Sequence, residues 1–462
     1  MNLKKLTSAI ILASLPASSV FAAALDRSGQ SIQAFLQPGN YFEAGISVLD
    51  ADVSGKMREG WVPPNATIQG KGLDGSNLSD MADSYQFYNA ALKVQMTDNL
   101  SFGLIYDQPF GAKATYSTQD KSFAETGTGQ AALKDAGAFY KGGEGTNVDV
   151  QTQNLSFIFG FQPTENWNIY AGPVYQTVKG NVSLRGAAYG PFGGVLCPVM
   201  CSGMATGPNK TPFNGYDAKI GEDSSVGWLG GVAFQIPEIA LKASLTYRSK
   251  VNHKVTANET LGYVTNTIIA GQLPVLNQAN INKINNEEGE TKISTPQSVN
   301  LDFQTGIMAN TVAFAQVRWV NWSDFAIRPY KFGQLASGLT QALAGSPKGF
   351  DLVAYDKDQI SANVGVGRKF NDQWAGTVMV GWDSGAGNPV STLGPTEGYW
   401  SVGLGGQFSP TPQSFIQAGV KYFWLGDAKS QVASDFGYDD RYAANFEDNN
   451  AIGYSLKIGY RF

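Results

Sequence analysis

The sequence has few of the residues that most often build catalytic and metal centres. Its 462 residues include two cysteines and one histidine. A structural zinc site needs about four nitrogen, sulfur or oxygen ligands, and His253 lies between Asn252 and Lys254 at a predicted outer strand end, where a lone histidine is usually solvated. We therefore expect no metal site, no cofactor and no catalytic residue, with a lipid-acting enzyme built on His253 as the remote alternative.

The sequence also lacks a long uninterrupted apolar segment. No stretch reaches the roughly 18 apolar residues of a spanning helix. The most apolar run, residues 6–21, is interrupted by serines and by Pro16, follows Lys4 and Lys5, and ends in three alanines at 22–24. These features predict a secretory signal peptide over residues 1–24, which would place the mature chain in the periplasm, the outer membrane or the medium.

An excess of positive charge is missing as well. There are 33 basic and 38 acidic residues, a formal net charge of −5, and the basic residues form no run. Proteins that bind nucleic acid usually carry a basic patch or stripe. Nucleic acid is therefore not an expected partner.

The end of the chain shows strict alternation. One face carries Tyr454, Leu456, Ile458, Tyr460 and Phe462, and the other carries Gly453, Ser455, Lys457, Gly459 and Arg461. A strand of this kind that ends on an aromatic residue is typical of bacterial outer-membrane barrels. Its expected partners are outer-membrane lipid, lipopolysaccharide and the barrel assembly machinery, which would engage the C-terminal strand.

Alternation of this kind recurs along the chain. Fourteen strands are predicted near residues 41–50, 84–97, 100–110, 148–162, 166–184, 224–236, 239–256, 295–305, 311–325, 357–370, 374–384, 396–409, 413–427 and 449–462. Tight turns alternate with long loops, so both chain ends belong in the periplasm and the long loops outside. The expected fold is all-β, a 14-stranded antiparallel transmembrane β-barrel over residues 41–462.

Several short segments resemble the FadL family of outer-membrane transporters for long-chain fatty acids and other hydrophobic molecules. They are Tyr247-Arg248-Ser249, Pro296-Gln297-Ser298, Trp322-Ser323-Asp324-Phe325, Asp383-Ser384 and Asn388-Pro389-Val390. The resemblance implies passive uptake of long-chain fatty acids, with aromatic hydrocarbons as the alternative. It also implies an N-terminal hatch, for which only the short segment 25–40 is present, without the Asn-Pro-Ala motif of the family.

Members of this family are thought to release ligand through a kink in strand three. Here the predicted strand three contains Pro109, which cannot donate a ladder hydrogen bond, and Gly111, which permits unusual backbone angles. Local loss of pairing would open the wall at this point. The alternative is that the strand ends at Pro109 and a loop begins.

Two predicted outer loops, residues 187–213 and 261–276, are rich in apolar side chains. Exposed apolar patches mark interaction sites, so these loops could capture hydrophobic ligands. The alternative is that their side chains pack against one another. Cys197 and Cys201 lie in the first loop, and two cysteines in an oxidising compartment predict a disulfide.

A carboxylate ligand would need a cation beside apolar walls. Arg185 and Arg328 occupy regions that resemble the places of basic ligand contacts in the family. The predicted lumenal faces of strands seven and nine add further candidates: Arg248, Arg318, Phe314 and Trp322. The alternative for each cation is a structural ion pair with a lumenal acid such as Asp107, Asp302 or Asp383.

Overall fold

The structure is a computed structural model that describes residues 25–62, 72–126, 135–194, 215–261, 278–432 and 442–462. Within these ranges no helix combines the length and apolar character that crossing a bilayer requires. The described strands form one closed barrel.

Fourteen antiparallel strands form the barrel wall. They are β1 (Tyr41–Asp52), β2 (Tyr85–Gln95), β3 (Leu100–Asp107), β4 (Asn147–Phe161), β5 (Trp167–Leu184), β6 (Tyr216–Ile236), β7 (Leu241–Arg248), β8 (Ser298–Met308), β9 (Thr311–Val320), β10 (Gln359–Lys369), β11 (Trp374–Asp383), β12 (Tyr399–Phe408), β13 (Ser414–Leu425) and β14 (Asn450–Arg461). Each strand pairs with its neighbours in sequence, and β14 also pairs with β1, from Tyr41 opposite Arg461 to Asp52 opposite Asn450. The prediction of a 14-stranded antiparallel barrel is confirmed.

The connections alternate in length as the sequence predicts. Short turns join β2 to β3, β4 to β5, β6 to β7, β8 to β9, β10 to β11 and β12 to β13. The start of β1 and the end of β14 lie at this same end of the barrel, which is the periplasmic end of such proteins. The seven longer connections lie at the opposite, outer end.

The two faces of the wall carry different side chains. On β14, Tyr454, Leu456, Ile458 and Tyr460 are about half exposed, whereas Lys457 is buried and its Nζ lies 2.9 Å from the Glu43 carboxylate. An apolar outer face is what lipid requires, and polar side chains fill the inside. The alternation in the sequence therefore separates lipid-facing from lumenal residues.

Aromatic side chains mark two levels on the outer face. Trp382, Trp400 and Trp424 lie side by side on β11, β12 and β13. At the turn end of β11, Trp374 stands opposite Phe408. Trp374 and Trp382 are about 27 Å apart along the strand. Because barrel strands are tilted from the membrane normal, this length corresponds to a height of roughly 20–25 Å between the two aromatic levels, which matches the apolar belt of an outer-membrane barrel.

The outer loops contain further short elements. The strands are Gly55–Met57, Asn77–Leu78, Gly111–Thr115, Tyr140–Lys141, Glu144–Gly145, Val251–Val255, Ala257–Leu261, Thr291–Thr295, Ala326–Ile327, Val353–Ala354, Val390–Ser391, Ala428–Gln431 and Ala444–Phe446; the helices are α1 (Gln278–Asn286) and α2 (Tyr330–Ala344). Short 3-10 helices of the outer loops span Phe123–Thr126, Ala187–Gly193 and Trp322–Asp324, and another, Pro237–Ile239, forms the short turn between β6 and β7. The buried rings of Phe192 in a 3-10 helix, Phe332 in α2, Tyr216 at the start of β6 and Phe350 in the loop after α2 contact one another and hold these outer segments together.

Some strand limits differ from the prediction. β6 begins at Tyr216, before its predicted start near 224, because Tyr216, Ala218 and Ile220 pack on the loop core although the intervening residues are polar. Strand seven stops at Arg248, and Val251–Val255 pairs instead with Thr291–Thr295. Outside the membrane, apolar side chains of the strands pack against the loops instead of facing lipid. The alternation of apolar and polar residues is therefore less regular there, and strand limits are harder to predict.

Candidate functional site

The N-terminal segment, residues 25–40, lies inside the barrel. The ring of Phe35 packs edge-on against Tyr170 and approaches Gly103 so closely that a Cβ there would lie 2.3 Å from it. Deeper in the segment, Lys242 Nζ donates to the carbonyl of Leu36 at 2.9 Å, and Lys93 Nζ donates to that of Gln37. Side chains of the wall therefore hold the segment across the lumen.

Buried charges hold the first part of this segment. Arg318 donates from Nε and Nη2 to the two oxygens of Asp26, at 2.6 and 3.2 Å, and both residues are almost inaccessible. Arg318 also donates to Asn300 and to the Gln30 side chain, while Arg248 donates to the Gln30 carbonyl at 3.1 Å. Both predicted lumenal arginines thus bind the protein's own N-terminal segment.

Strand three is interrupted where Pro109 and Gly111 stand. β3 ends with Asp107 opposite Asn154 of β4, and the short strand Gly111–Thr115, here called the β3 extension, resumes with Gly111 opposite Gln151. Three residues of strand three therefore face two residues of β4. This is the geometry of a β-bulge, which bends a strand away from its partner.

The bulge leaves a gap in pairing with β2. The last paired position is Ala90 with Tyr106, and pairing resumes only at Ala82 with Ala114. We call the gap between residues 83–89 and 107–113 the window. Within it, the Tyr88 amide donates to the side-chain oxygen of Gln108, 2.8 Å away, in place of a backbone partner.

The N-terminal segment covers the window from inside. The Arg27 amide donates to the Pro109 carbonyl at 2.6 Å, and the Gly111 amide donates to the Leu25 carbonyl at 2.8 Å. The Arg27 guanidinium lies over the ring of Tyr85, with its carbon 3.9 Å from the ring centroid. A Cβ at position 111 would lie 2.5 Å from that guanidinium and 2.5 Å from the backbone oxygen of Val150, so a larger residue there would displace the strand or the N-terminal segment.

An apolar pocket lies between the window and the outer loops. Its described lining is Leu25, Asp26, Tyr85, Gly111, Ala112, Val148, Val150, Val182, Ala218, Ile220, Ile327, Pro329, Leu352, Val353, Tyr355, Ser391, Leu393, Gly394 and Thr396. Of these residues only Asp26 carries a formal charge, and Arg318 neutralises it. Burial raises the pKa of the Tyr355 phenol well above its ordinary value, so this lining residue stays neutral. Such a lining suits an apolar molecule.

A second, more polar cavity lies on the other side of the N-terminal segment. Its lining includes Glu43, Asp107, Lys242, Asp302 and Lys457, together with Asn89, Ala90 and Tyr106 at the edge of the window. We call it the lumenal cavity. Residues Ser28 and Gly29 line it as well, so the N-terminal segment separates it from the apolar pocket.

The two arginines expected to hold a carboxylate ligand are engaged by protein groups. Arg185 is buried and contacts Glu144 and Asp217, both at 2.9 Å. Arg328 donates to Asp351 at 2.6 Å and to the carbonyl of Lys348. These arrangements correspond to the structural alternative, although the acids involved differ from Asp107, Asp302 and Asp383.

Phe314 and Trp322 lie inside, as their alternation predicts. Phe314 packs against Met379 and lines the lumenal cavity. Trp322 is fully buried, packs edge-on against Phe110 in the bulge and against Tyr355, and donates to Gln359 at 2.7 Å. Trp322 therefore links the bulge to the wall of the apolar pocket.

The described part of the first apolar loop is packed inward. Tyr189 and Phe192 are buried in the loop core, which supports mutual packing over exposure for these two side chains. Cys197 and Cys201, the rest of this loop from 195, and residues 262–276 of the second loop lie outside the described residues. The predicted disulfide stays a prediction.

The expectation that His253 is solvated is wrong. Its side chain is buried, with Nδ1 2.9 Å from Asp223 and Nε2 3.0 Å from the Gln176 oxygen. Thr295 donates to that same oxygen, which fixes the amide orientation. The described hydrogen-bond partners of the ring, Asp223 and Gln176, include no hydroxyl or thiol group.

Comparison with known proteins identifies the family. The sequence profile described as "Outer membrane protein transport protein (OMPP1/FadL/TodX)" matches residues 40–462. The chain belongs to this family. Its members are outer-membrane transport proteins, so this FadL-family chain is a β-barrel of the bacterial outer membrane that transports hydrophobic compounds. No curated protein matches the sequence.

Solved structures agree on the fold. A Pseudomonas aeruginosa FadL homologue is 16% identical, covers 99% of this chain and 98% of its own, and has a TM-score of 0.61. The P. putida toluene transporter TodX is 14% identical, with coverages of 96% and 94% and a TM-score of 0.55. The Ralstonia pickettii toluene transporter TbuX is 12% identical, the match covers 98% of this chain and 99% of TbuX, and the TM-score is 0.51.

Sequence reasoning missed the role of Asp26 and Arg27 in the lumen. Both stand in a short segment ahead of the first strand, where charged residues are ordinarily solvated. The signal that could have revealed them is the excess of predicted lumenal cations, which need anions or carbonyls inside the barrel.

Proposed function

We propose that this family member takes up hydrophobic molecules passively, by capture in the apolar pocket and release through the window. The observation that carries the proposal is the position of the window. It lies beside both the apolar pocket and the lumenal cavity. Its two edges pair with their outer neighbours but not with each other, in a wall whose other described strands pair on both sides. A molecule leaving there would enter the membrane without crossing the lumen.

The N-terminal segment gives this route its direction. Because the segment spans the lumen, a straight path to the periplasm is blocked by residues 25–40. Among the described residues, Leu25 and Arg27 contact the inner side of the window through Pro109 and Gly111, and Leu25 and Asp26 also line the pocket. Transport therefore requires a local shift at the start of the segment and leaves the barrel intact.

The first candidate ligands are long-chain fatty acids, and aromatic hydrocarbons are the alternative. The apolar lining accommodates both. Recovery of native ligands from the purified protein by mass spectrometry, followed by uptake assays in cells without other transporters, would decide between them. Recovery of sugars alone would contradict both candidates.

The proposal includes no catalytic step. His253 is buried and hydrogen-bonds Asp223 and Gln176, and it lines neither the apolar pocket nor the lumenal cavity, so His253→Ala should leave uptake unchanged. Loss of a lipid-modifying activity in that variant would favour the enzyme alternative. Recognition of β14 by the barrel assembly machinery and contact of the outer loops with lipopolysaccharide belong to the same proposal.

The decisive variant removes one residue from the bulge. Deleting Pro109 leaves two residues of strand three opposite two of β4, which restores one-to-one pairing while Phe110, Ala112 and Ala114 stay on the inner face. The deletion should close the window and abolish uptake of a radiolabelled hydrophobic compound into proteoliposomes. Pro109→Ala keeps the extra residue and should retain most of the uptake.

Heat-modifiable migration on gels would show that both variants still form barrels. Uptake by the deletion variant at the wild-type rate would contradict release through the window. Loss of ligand binding in detergent would show instead that the deletion damages the pocket.

A further inference from the structure

The wall of the barrel is taller on one side than on the other. β11 ends one residue after Trp382, which belongs to the outer aromatic level. Tyr175 lies as far along β5 from Trp167 as Trp382 lies along β11 from Trp374, and both starting residues follow a short turn, so Tyr175 marks the same level. β5 nevertheless continues to Leu184, roughly 30 Å farther along the strand.

The outward face of this taller wall changes character above Tyr175. At the level of Tyr175 its neighbours on β4 and β6 are Leu155 and Val226, so the surface is apolar. Higher up, one row across five adjacent strands is entirely polar: Lys113, Asp149, Asn181, Lys219 and Asn258. The next row outwards is polar at all five positions as well. We call the surface of these two rows the outer polar face.

The outer polar face points away from the barrel. The side chains that alternate with it, such as Val148, Val182 and Ala218, are buried in the core of the outer loops. Asn181 and Lys219 are exposed. Because opposite faces of a strand alternate, the polar rows face the surroundings of the protein directly above its lipid-facing belt.

The lysines of this wall are free to bind an anion. Lys179 is exposed and stands one row below Asn181 on the same outward face. In the part of the chain that the structure describes, neither Lys179 nor Lys113 nor Lys219 forms an ion pair. Lysine is a common ligand of phosphate groups.

The acids of the same wall are fewer and partly engaged. Asp217 in the upper row pairs with Arg185 at 2.9 Å. Asp149 accepts a hydrogen bond from Gln151 at 3.0 Å, and Glu222 stands where the register of β6 with β5 shifts. The three lysines therefore give this wall an excess of unpaired positive charge, although the chain as a whole has a net charge of −5.

We propose that the outer polar face is a docking surface for lipopolysaccharide, the phosphorylated glycolipid of the outer leaflet. The lysines bind its phosphates, and the amide and hydroxyl side chains of the two rows bind its sugar hydroxyls. Its acyl chains continue down onto the apolar surface around Tyr175. The inference rests on the outer-membrane location and deepens the lipopolysaccharide contact proposed above, which it assigns to strands β4–β6 and their two short neighbours.

The test measures binding of fluorescently labelled lipopolysaccharide, truncated to lipid A and its two innermost sugars, to the purified full-length protein in detergent. The wild type should bind it about tenfold more tightly than phosphatidylglycerol, which carries one phosphate and no sugar. Combining Lys179→Gln with Lys219→Gln should lower the affinity for lipopolysaccharide about fivefold or more, because two exposed charge pairs are lost.

The matched control combines Lys283→Gln in α1 with Lys357→Gln, which removes the same charge from two exposed positions of the outer loops and should leave the affinity unchanged. A photo-crosslinking amino acid in place of Asn181 supplies a readout without any lysine variant. In cells it should give an adduct with lipopolysaccharide, and the same amino acid in place of Thr411, in the exposed periplasmic turn between β12 and β13, should give none.

Equal affinity for phosphatidylglycerol, or an equal loss in the control pair, would reveal a general attraction of anions and overturn the assignment. Crosslinks from position 181 to a second copy of the chain, in place of lipopolysaccharide, would overturn it as well. Neither Lys179 nor Lys219 lines the apolar pocket or the lumenal cavity, so uptake by their double variant should equal that of the wild type. Failure of the docking surface is thereby distinguished from failure of the proposed transport.

Discussion

At the scale of single residues, the lumen is organised by charges that are buried and paired. Asp26 and Arg318 form a two-bond ion pair with both side chains less than 5% exposed. Such pairs contribute little net stability over apolar residues, but removing one partner is costly because the other charge stays buried. The pair is therefore better understood as fixing where the N-terminal segment sits.

Arg318→Gln should release the start of that segment. The unpaired Asp26 is expected to destabilise the local arrangement by about 3–5 kcal/mol, enough to expose residues 25–30 while the barrel remains closed. Limited proteolysis and amide hydrogen exchange of this region would detect the release. Adding Asp26→Asn should restore much of the protection, and protection of the single variant at the wild-type level would refute the fixing role.

A second residue-level prediction concerns Glu397, in the loop that follows β11. Its carboxylate accepts from the amides of Gly387 and Ala386, at 3.1 and 3.3 Å. Burial raises the pKa of Glu397 to about 7. Between the ordinary glutamate pKa and about 7, Glu397 is protonated in the folded loop but ionised in the unfolded loop. Because the folded state binds more protons in this interval, the stability of the loop should fall as pH rises through it.

Amide hydrogen exchange at Ala386 and Gly387, corrected for the intrinsic pH dependence of exchange, measures this effect. Protection should be highest below the ordinary glutamate pKa and decrease as pH rises through about 7. In Glu397→Gln the protection should become independent of pH over the same interval. Protection that rises with pH in the wild type would show that the shift has the opposite sign.

At the scale of elements, the outer part of β2 differs from the rest of the wall. Residues 85–93 pair with β1, but the part of β2 that faces the window has no described ladder partner on its other side. On the window side, the Tyr88 amide donates to the Gln108 side chain instead of to a ladder partner. Edges of this kind open locally more easily than paired strands.

Gln108→Ala should loosen this edge. Loss of one hydrogen bond worth ~1 kcal/mol predicts about five- to tenfold faster amide exchange at Tyr88. Exchange at Ser47, on the paired strand β1, should stay unchanged. Equal acceleration at both positions would mean that the whole barrel has been destabilised.

The positions of the strands could be predicted from the sequence. The contacts between the N-terminal segment and the lumenal side chains could not. Lipid on one side and a polar lumen on the other impose a period of two, so β14 and its neighbours follow from alternation, and Pro109 with Gly111 marks the interruption of strand three. The ion pair between Asp26 and Arg318 joins residues 292 positions apart. No local pattern encodes such a pairing, so the alternation places Arg248 and Arg318 on the lumenal face but does not identify the groups of the N-terminal segment that they contact.

At the scale of the whole molecule, the barrel and its N-terminal segment are separable in principle. All fourteen strands close without residues 25–40, since β1 pairs directly with β14. The segment nevertheless satisfies lumenal groups on several strands, including Lys93, Lys242 and Arg248. The wall thus provides the fold, and the segment determines whether the lumen is open.

Deleting residues 25–40 from the mature chain should therefore convert a closed barrel into an ion-conducting pore. Single-channel recordings in planar bilayers should show a resolved conductance for the deletion variant and little or none for the wild type, because the cations that held the segment become hydrated once it is gone. Retained heat-modifiable migration would establish that the variant still folds. A folded deletion variant with wild-type conductance would mean that the outer loops close the barrel, and the N-terminal segment would lose its role as the plug.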